Sequence, residues 1–294
     1  MIGTPIPREL DSSWLDVNFP VEAERYNRDK PAEQHRLCGL IKEDEQVRDA
    51  ACLSTPFASK LQTIPERQWE TIIKAKGDDG TPRMFGLPSK SQIGNSCTSN
   101  AMDRLFELRM VQAYGREYFI QFSPMSLYQF CCGGRDAGSS LSCNMETART
   151  KGFLPSATPI NRDRFGAMVL KDGGYTFRQN PRPDGWEPFA QQFVVVEWLK
   201  ISTVNEFATC LLLNIPVLYG RSGHALCGVA LVIRNRRLYC MYDNSWGTDW
   251  GDHGYGYDSF GSWLMGYGCY AAVTIRHPKI DGLHLPPTPV SLAL

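Results

Sequence analysis

Apolar and polar positions follow two different periods along this chain, and the change comes near residue 190. In the first half the clearest pattern starts at Cys97. Apolar residues fall at Ala101, Met102, Leu105, Phe106, Leu108, Met110 and Val111, the broad face of a buried helix running to about Tyr114 and stopped by Gly115. Ser123-Pro124 predicts a second helix start, with Ser123 as N-cap and Pro124 at the first helical position, ending before Gly133-Gly134. A short helix is expected over 144–151, closed by Gly152. Weaker spacing of Leu37, Leu40, Ile41 and Val47 predicts a helical piece between Pro31 and Leu53, while 77–88 and 161–187 read as loops.

Beyond residue 190 the pattern becomes β-branched and strand-like. Strands are predicted at 193–198, 216–219, 225–233, 238–243 and 269–275, with a helix at 205–213 between the first two and an extended tail after His277. Helices first and strands second predict an α+β protein of two lobes.

Composition narrows the partners. The chain has 294 residues, 43% of them hydrophobic, with 31 basic and 31 acidic side chains, so a sizeable core is expected and no net charge draws it to nucleic acid or an anionic membrane. No apolar run is long enough to span a bilayer. The N-terminus lacks the basic and apolar regions of a secretory signal, so the expected location is cytoplasmic or otherwise non-secreted, a place in a viral particle or other assembly included. In that setting the ten cysteines are expected to be reduced. No paired Cys-x-x-Cys motif calls for a structural zinc, and Cys131, Cys132 and Cys143 read as core or loop thiols rather than metal ligands. No metal or organic cofactor is implied.

The candidate chemistry begins at Gln92-Ile-Gly-Asn-Ser-Cys97, where a Gly-containing turn delivers a thiol to the first turn of a helix. The positive end of the helix dipole favours a thiolate there. His224, in Ser222-Gly223-His224-Ala225, follows Cys97 by 127 positions, and Asn244 follows it by 147. Each residue has a plain alternative: Cys97 as a buried hydrophobe, His224 as a satisfied core histidine, Asn244 as a turn residue, Trp246 and Trp250 as core aromatics, Gln92 as a loop amide.

Taken jointly, the order and spacing of Cys97, His224 and Asn244, with Asn244-Ser-Trp246-Gly-x-x-Trp250-Gly251-x-x-Gly254-Tyr255, resemble the papain-type (C1) cysteine peptidases over roughly residues 64–275. The resemblance implies a papain-like fold with a helical lobe over about 63–190, an antiparallel β-barrel-like lobe over about 191–277, and a cleft between them. It leaves 1–62 as an N-terminal extension, propeptide-like, docking or simply packed on the domain, which would lie along the cleft, often in reverse direction, if it is a leader, and 278–294 as a tail. Cys97 would be the nucleophile, with His224 taking its proton and Asn244 orienting the imidazole. Trp246 would shield that hydrogen bond, and Gln92 with the Cys97 amide would bind the oxyanion. Ser139, Ser140 and Gly223 would meet the substrate backbone. Tyr128, Val195 and Ala225 are candidates for the pocket between the lobes.

The match also departs from the family: Thr98 replaces a tryptophan, Gln92 stands five rather than six positions before the cysteine, where Ser91 falls, and Ser139-Ser140 replaces Gly-Gly. Two readings therefore stand side by side. One is a cysteine endopeptidase acting on a polypeptide through a Cys97 thioester. The other is a catalytically silent papain-like protein that binds within a larger assembly, with residues 1–62 as the docking segment.

Overall fold

In the computed structural model, residues 15–32, 35–47, 54–76, 86–172, 182–278 and the backbone of 280–281 are described. The elements run α1 (Phe19–Asn27), β1 (Leu40–Ile41), β2 (Thr55–Pro56), α2 (Trp69–Lys76), α3 (Cys97–Tyr114), α4 (Met125–Cys131), β3 (Ser139–Ser140), α5 (Leu141–Thr150), α6 (Pro159–Phe165) and α7 (Trp186–Ala190). They continue through β4 (Val194–Ile201), α8 (Val204–Leu212), β5 (Val217–Arg221), β6 (His224–Arg234), β7 (Arg237–Asp243), β8 (Tyr255–Ser259), β9 (Cys269–His277) and β10 (Ile280–Asp281).

The seven strands after residue 190, joined by β2, form an eight-stranded sheet in the order β2-β4-β9-β5-β6-β7-β8, with β10 on β9. All its pairs are antiparallel except β2 with β4. Alternate residues of β5 and β6 enter different cores. Leu218, Ala225, Cys227 and Val229 pack with α3, whereas Val217, Tyr219 and Leu226 pack with Phe207, Trp246 and Phe19 on the opposite face. Both faces are covered, which is why these strands read as continuous apolar runs rather than as alternation.

Helix α3 is the axis of the other lobe. All fifteen residues from Cys97 to Val111 are buried, including Asp103, Arg104, Glu107 and Arg109. Three of these charges belong to one buried ion-pair network. Lys90 meets Asp103 at 3.1 Å and Glu107 at 2.8 Å, and Arg104 meets Glu107 and Asp243 at 3.2 Å each. Arg104 therefore links the helix that begins at Cys97 to the strand that ends beside Asn244.

The helix and strand expectations after residue 96 hold with shifted ends: α4 begins one residue later, with Pro124 rather than Ser123 as its cap, and α5 starts at Leu141. Helices α6 and α7 overlap the two ends of the stretch expected to be irregular, α6 capped by the Thr158 hydroxyl on the Asn161 amide; 173–181 lie outside the described residues. Strand β8 carries the Tyr255-Gly256 end of the aromatic motif.

Two expectations are corrected. The helix expected over 31–53 is not formed at 35–44, where Arg36 and Leu37 pair with Gly94 and Leu40–Ile41 with β3; residues 45–47 are helical, and 33–34 and 48–53 lie outside the described residues. The cysteines are not all reduced either: Cys131 and Cys143 form a disulfide, their Cα atoms 5.6 Å apart, within the span such a bond bridges. The end of α4 and the start of α5 pack together, a proximity that spacing along the chain does not encode. Cys132 is free and buried. The tail expectation beyond 281 lies outside the described residues.

Candidate active site

Each candidate side chain is held by a local device. Ser96 ends the turn before α3, so Cys97 is the first helical residue, and its side chain is fully buried. The β5–β6 hairpin turns on Ser222 and Gly223, both at positive φ (49° and 75°), as a two-residue turn matched to strand twist requires. That turn makes His224 the first residue of β6, with the Ala225 amide next to it bonding the Cys97 sulfur. Asn244 follows β7 directly, its backbone N–H bonded to the Gly254 carbonyl at 2.9 Å.

Two of the three residues expected to act together meet directly, and Cys97 bonds the Ala225 amide next to His224. His224 Nε2 and Asn244 Oδ1 are 2.8 Å apart, which fixes the proton on Nε2 because the amide oxygen can only accept. Nδ1 of His224 is buried and has no hydrogen-bond partner among the described residues. Trp246 covers the pair, its ring centroid 5.2 Å from the imidazole.

The Gln92 side chain is fully buried, with Oε1 accepting from the Ser245 hydroxyl at 2.6 Å. Its Nε2 donates to the Leu37 carbonyl at 2.8 Å and to the Gly94 carbonyl at 2.7 Å. Despite the unusual spacing, the Gln92 amide therefore faces a carbonyl lying in the cleft. Ser91 instead bridges to Trp246 and accepts from Arg36 at 2.6 Å.

Ser139 and Ser140 stand on the cleft wall, but their side chains do not narrow it. The Ser139 hydroxyl accepts from Asn144 at 2.9 Å and the Ser140 hydroxyl caps α5. Thr98 bonds the Ser139 carbonyl at 3.2 Å, tying that wall to the helix that bears Cys97. Of the pocket candidates, only Ala225 borders the thiol. Tyr128 donates to Asp136, and Val195 lies in the core with α3.

The cleft is filled by the chain's own N-terminal residues. Leu37 donates to the Gly94 carbonyl at 3.2 Å, and the Gly39 N–H points at the Cys97 sulfur at 3.3 Å. The Ser139 N–H then bonds the Gly39 carbonyl at 2.8 Å, and the Leu40 N–H bonds the Gly223 carbonyl at 2.8 Å. Strand β1 runs parallel to β3. Ser139, Ser140 and Gly223 are thus all engaged, by residues 39–41 of the same chain. The Leu40 side chain fills a recess against Gly220 and Tyr267, where any added Cβ on Gly220 would collide with it.

A second contact comes from α1. Phe19 is fully buried, with its ring centroid 4.5 Å from the His224 imidazole and edge-on to Trp246 at 5.8 Å. Tyr26 stacks on Trp246 and donates to its carbonyl at 3.0 Å. Sequence pattern alone assigned no site role to Phe19, Leu37, Gly39 or Tyr267, because their contacts with the site are made across long stretches of chain.

Closure sets the ionisation. Burial pulls His224 down to about 4, with the Asn244 bond pulling weakly the other way. Burial also raises the Cys97 thiol, against the amides of Ala225, Gly39 and Thr98, which favour thiolate. In this closed arrangement the pair rests as neutral imidazole and thiol.

Among the described residues no cluster of three or more His, Cys, Asp or Glu side chains could hold a metal ion, and no helix is long and apolar enough to cross a membrane.

A helical lobe built on α3, a multi-stranded sheet and a cleft between them make up the papain-like fold of cysteine proteases. Among solved structures, the chain is similar to xylellain, a cysteine protease from Xylella fastidiosa, at 15% identity and a TM-score of 0.55, covering 81% of this chain and 95% of that one. It is also similar to a structure from a study of the mite allergens Blo t 1 and Der p 1, at 14% identity and a TM-score of 0.55, covering 78% of each chain. No protein-family model and no curated protein matches the sequence.

Proposed function

We propose that this chain is a cysteine peptidase that hydrolyses polypeptides through a Cys97 thioester and is held closed by its own N-terminal residues. The observation that carries the reading is the His224–Asn244 bond at 2.8 Å, with the second imidazole nitrogen unpartnered among the described residues and the amide of the next residue, Ala225, bonded to the Cys97 sulfur. A buried histidine kept only for packing would be expected to satisfy both nitrogens.

Once the segment lifts, His224 Nδ1 takes the Cys97 proton, and the resulting thiolate attacks the substrate carbonyl carbon. The oxyanion is held by the Cys97 backbone N–H and the Gln92 amide, whose aim at the Leu37 carbonyl supports that role. The imidazolium then protonates the leaving amine, leaving a thioester. Water, deprotonated by His224, releases the carboxylate product and restores the thiol. Asn244 keeps the tautomer fixed throughout.

Leu40 supports a recess that accepts an apolar side chain, and the parallel run of β1 along β3 supports an inhibitory leader. At the sulfur the segment presents the Gly39 N–H as a donor at 3.3 Å, which supports its occupying the place of a substrate backbone.

The burial of Phe19 on the imidazole favours a second reading, a silent protein whose N-terminal residues never leave. Labelling of the full chain by an epoxide thiol trap, read by mass spectrometry beside Cys97→Ala, tests the two. A single adduct on Cys97, with peptide hydrolysis that the variant lacks, is expected. An unreactive Cys97 in both the wild type and a chain with its segment displaced would leave the silent reading.

A further inference from the structure

We propose that Cys38 and Cys97 are the two halves of a reversible disulfide that locks the N-terminal segment into the cleft. The proposal rests on the peptidase reading for its consequence, but not for its chemistry.

The geometry begins with Gly39, whose N–H lies 3.3 Å from the Cys97 sulfur. Two backbone bonds separate that nitrogen from the Cys38 Cα, so the Cα stands no more than about 6 Å from the sulfur. With the Cys38 Cα at that separation from the Cys97 sulfur, rotation of the Cys38 side chain and a small shift of the segment bring the two sulfurs into bonding range. Gly39 is itself confined, since a Cβ there would lie 2.0 Å from the Asn95 carbonyl oxygen. The residue after Cys38 is thereby held against the wall that carries Cys97.

Access differs between the two thiols. Among the described free cysteines, Cys97, Cys132, Cys210, Cys227, Cys240 and Cys269 are buried, and Cys38 alone is partly exposed. It borders a groove of about 610 Å³ formed with Pro20, Ala23 and Asn27 of α1 and with Asn95. A small solute therefore reaches Cys38 first.

The exchange balances with a low-molecular-weight disulfide as oxidant. The Cys38 thiolate attacks one sulfur of that disulfide and displaces the first small thiolate. The Cys97 thiolate then attacks the Cys38 sulfur, displaces the second small thiolate and closes the protein disulfide. The two protons lost by the cysteines end on the two released thiols. Burial, with the nearby Cys97 sulfur adding to it, holds the Cys38 thiol up to about 12, so exchange proceeds when the segment loosens. The bond then converts a non-covalent plug into a covalent one, and any small thiol reverses it.

Full-length protein is equilibrated across ratios of oxidised to reduced glutathione, quenched with N-ethylmaleimide and digested without reduction. The expected result is a peptide pair joined through Cys38 and Cys97, lost on reduction and missing in Cys38→Ser and in Cys97→Ser, both checked for fold by circular dichroism. In parallel, peptide hydrolysis by the wild type is expected to fall about tenfold or more as the pair forms, while Cys38→Ser stays insensitive. Glutathione left on Cys38, or no linkage at any ratio, in a protein whose Cys97 takes the epoxide overturns the lock and leaves the peptidase reading intact. A Cys38–Cys97 pair in a protein that hydrolyses no peptide even after the pair is reduced upholds the disulfide and removes the peptidase reading.

Discussion

In the proposed peptidase, Cys97, His224 and Asn244 have no chemistry that a single side chain supplies; each would acquire its role from its neighbours. Cys97→Ala is expected to abolish peptide hydrolysis, a loss of about a thousandfold or more, because the nucleophile is removed while the fold stays. The assay is hydrolysis of a fluorogenic peptide next to circular dichroism. Gly39 is the residue where the cleft segment is most sensitive. A Cβ there meets Asn95 backbone, which cannot swing away as a flexible side chain could. Gly39→Val is therefore expected to lift the segment and to speed epoxide labelling of Cys97 by about tenfold or more, equivalent to at least ~1.4 kcal/mol of lost closure. An unchanged labelling rate would mean that the segment does not gate the thiol.

Helix α1 and strand β1 do at the scale of elements what no single residue does, which is to seal the imidazole from water. Phe19 buries an aromatic side chain against His224 and Trp246, and its truncation to Ala is expected to cost about 3 kcal/mol. Sealing also fixes a pH dependence. The closed form keeps His224 neutral down to about 4, against 6.5 for the ordinary imidazole. Between those values an opened form binds a proton that the closed form does not. Closure therefore loses stability as pH falls from about 6.5 toward about 4, and loses nothing further from this group below that. Titration of the His224 ring by NMR should give an apparent pKa near the lower value in the wild type. Phe19→Ala should move it up toward 6.5, and an identical titration in both forms would rule out sealing by α1.

Across the whole molecule, the buried charge network joins the element that carries the thiol to the strand that leads into Asn244. Arg104 is 2% exposed and is the shared partner of Glu107 and Asp243. Arg104→Met is expected to destabilise the protein by about 3 kcal/mol or more, since it leaves two buried carboxylates short of a counter-charge. Urea unfolding measures this as a lowered midpoint at unchanged slope. A change below about 1 kcal/mol would mean that Lys90 and Ser89 suffice to hold those carboxylates.

The sequence by itself determined what depends on local pattern. The buried face of Ala101, Met102, Leu105 and Phe106 specified α3, and the apolar runs at 217–219 and 225–233 specified central strands. The Asn244-Ser-Trp246-Gly motif with Cys97 and His224 singled out the side chains that the fold brings together. Those signals are legible because helix and strand periods are intrinsic to the backbone. Tertiary structure decided the rest. Leu37, Leu40 and Ile41 have apolar spacing that suits a helix, yet their backbone groups find better partners on Gly94, Ser139 and Gly223, and the stretch is extended. Cys131 and Cys143 are bonded because α4 and α5 pack together, and Phe19 covers the imidazole because a short helix finds Trp246 across more than two hundred residues. Contacts of that kind depend on which surfaces meet in space, and separation along the chain carries no record of them.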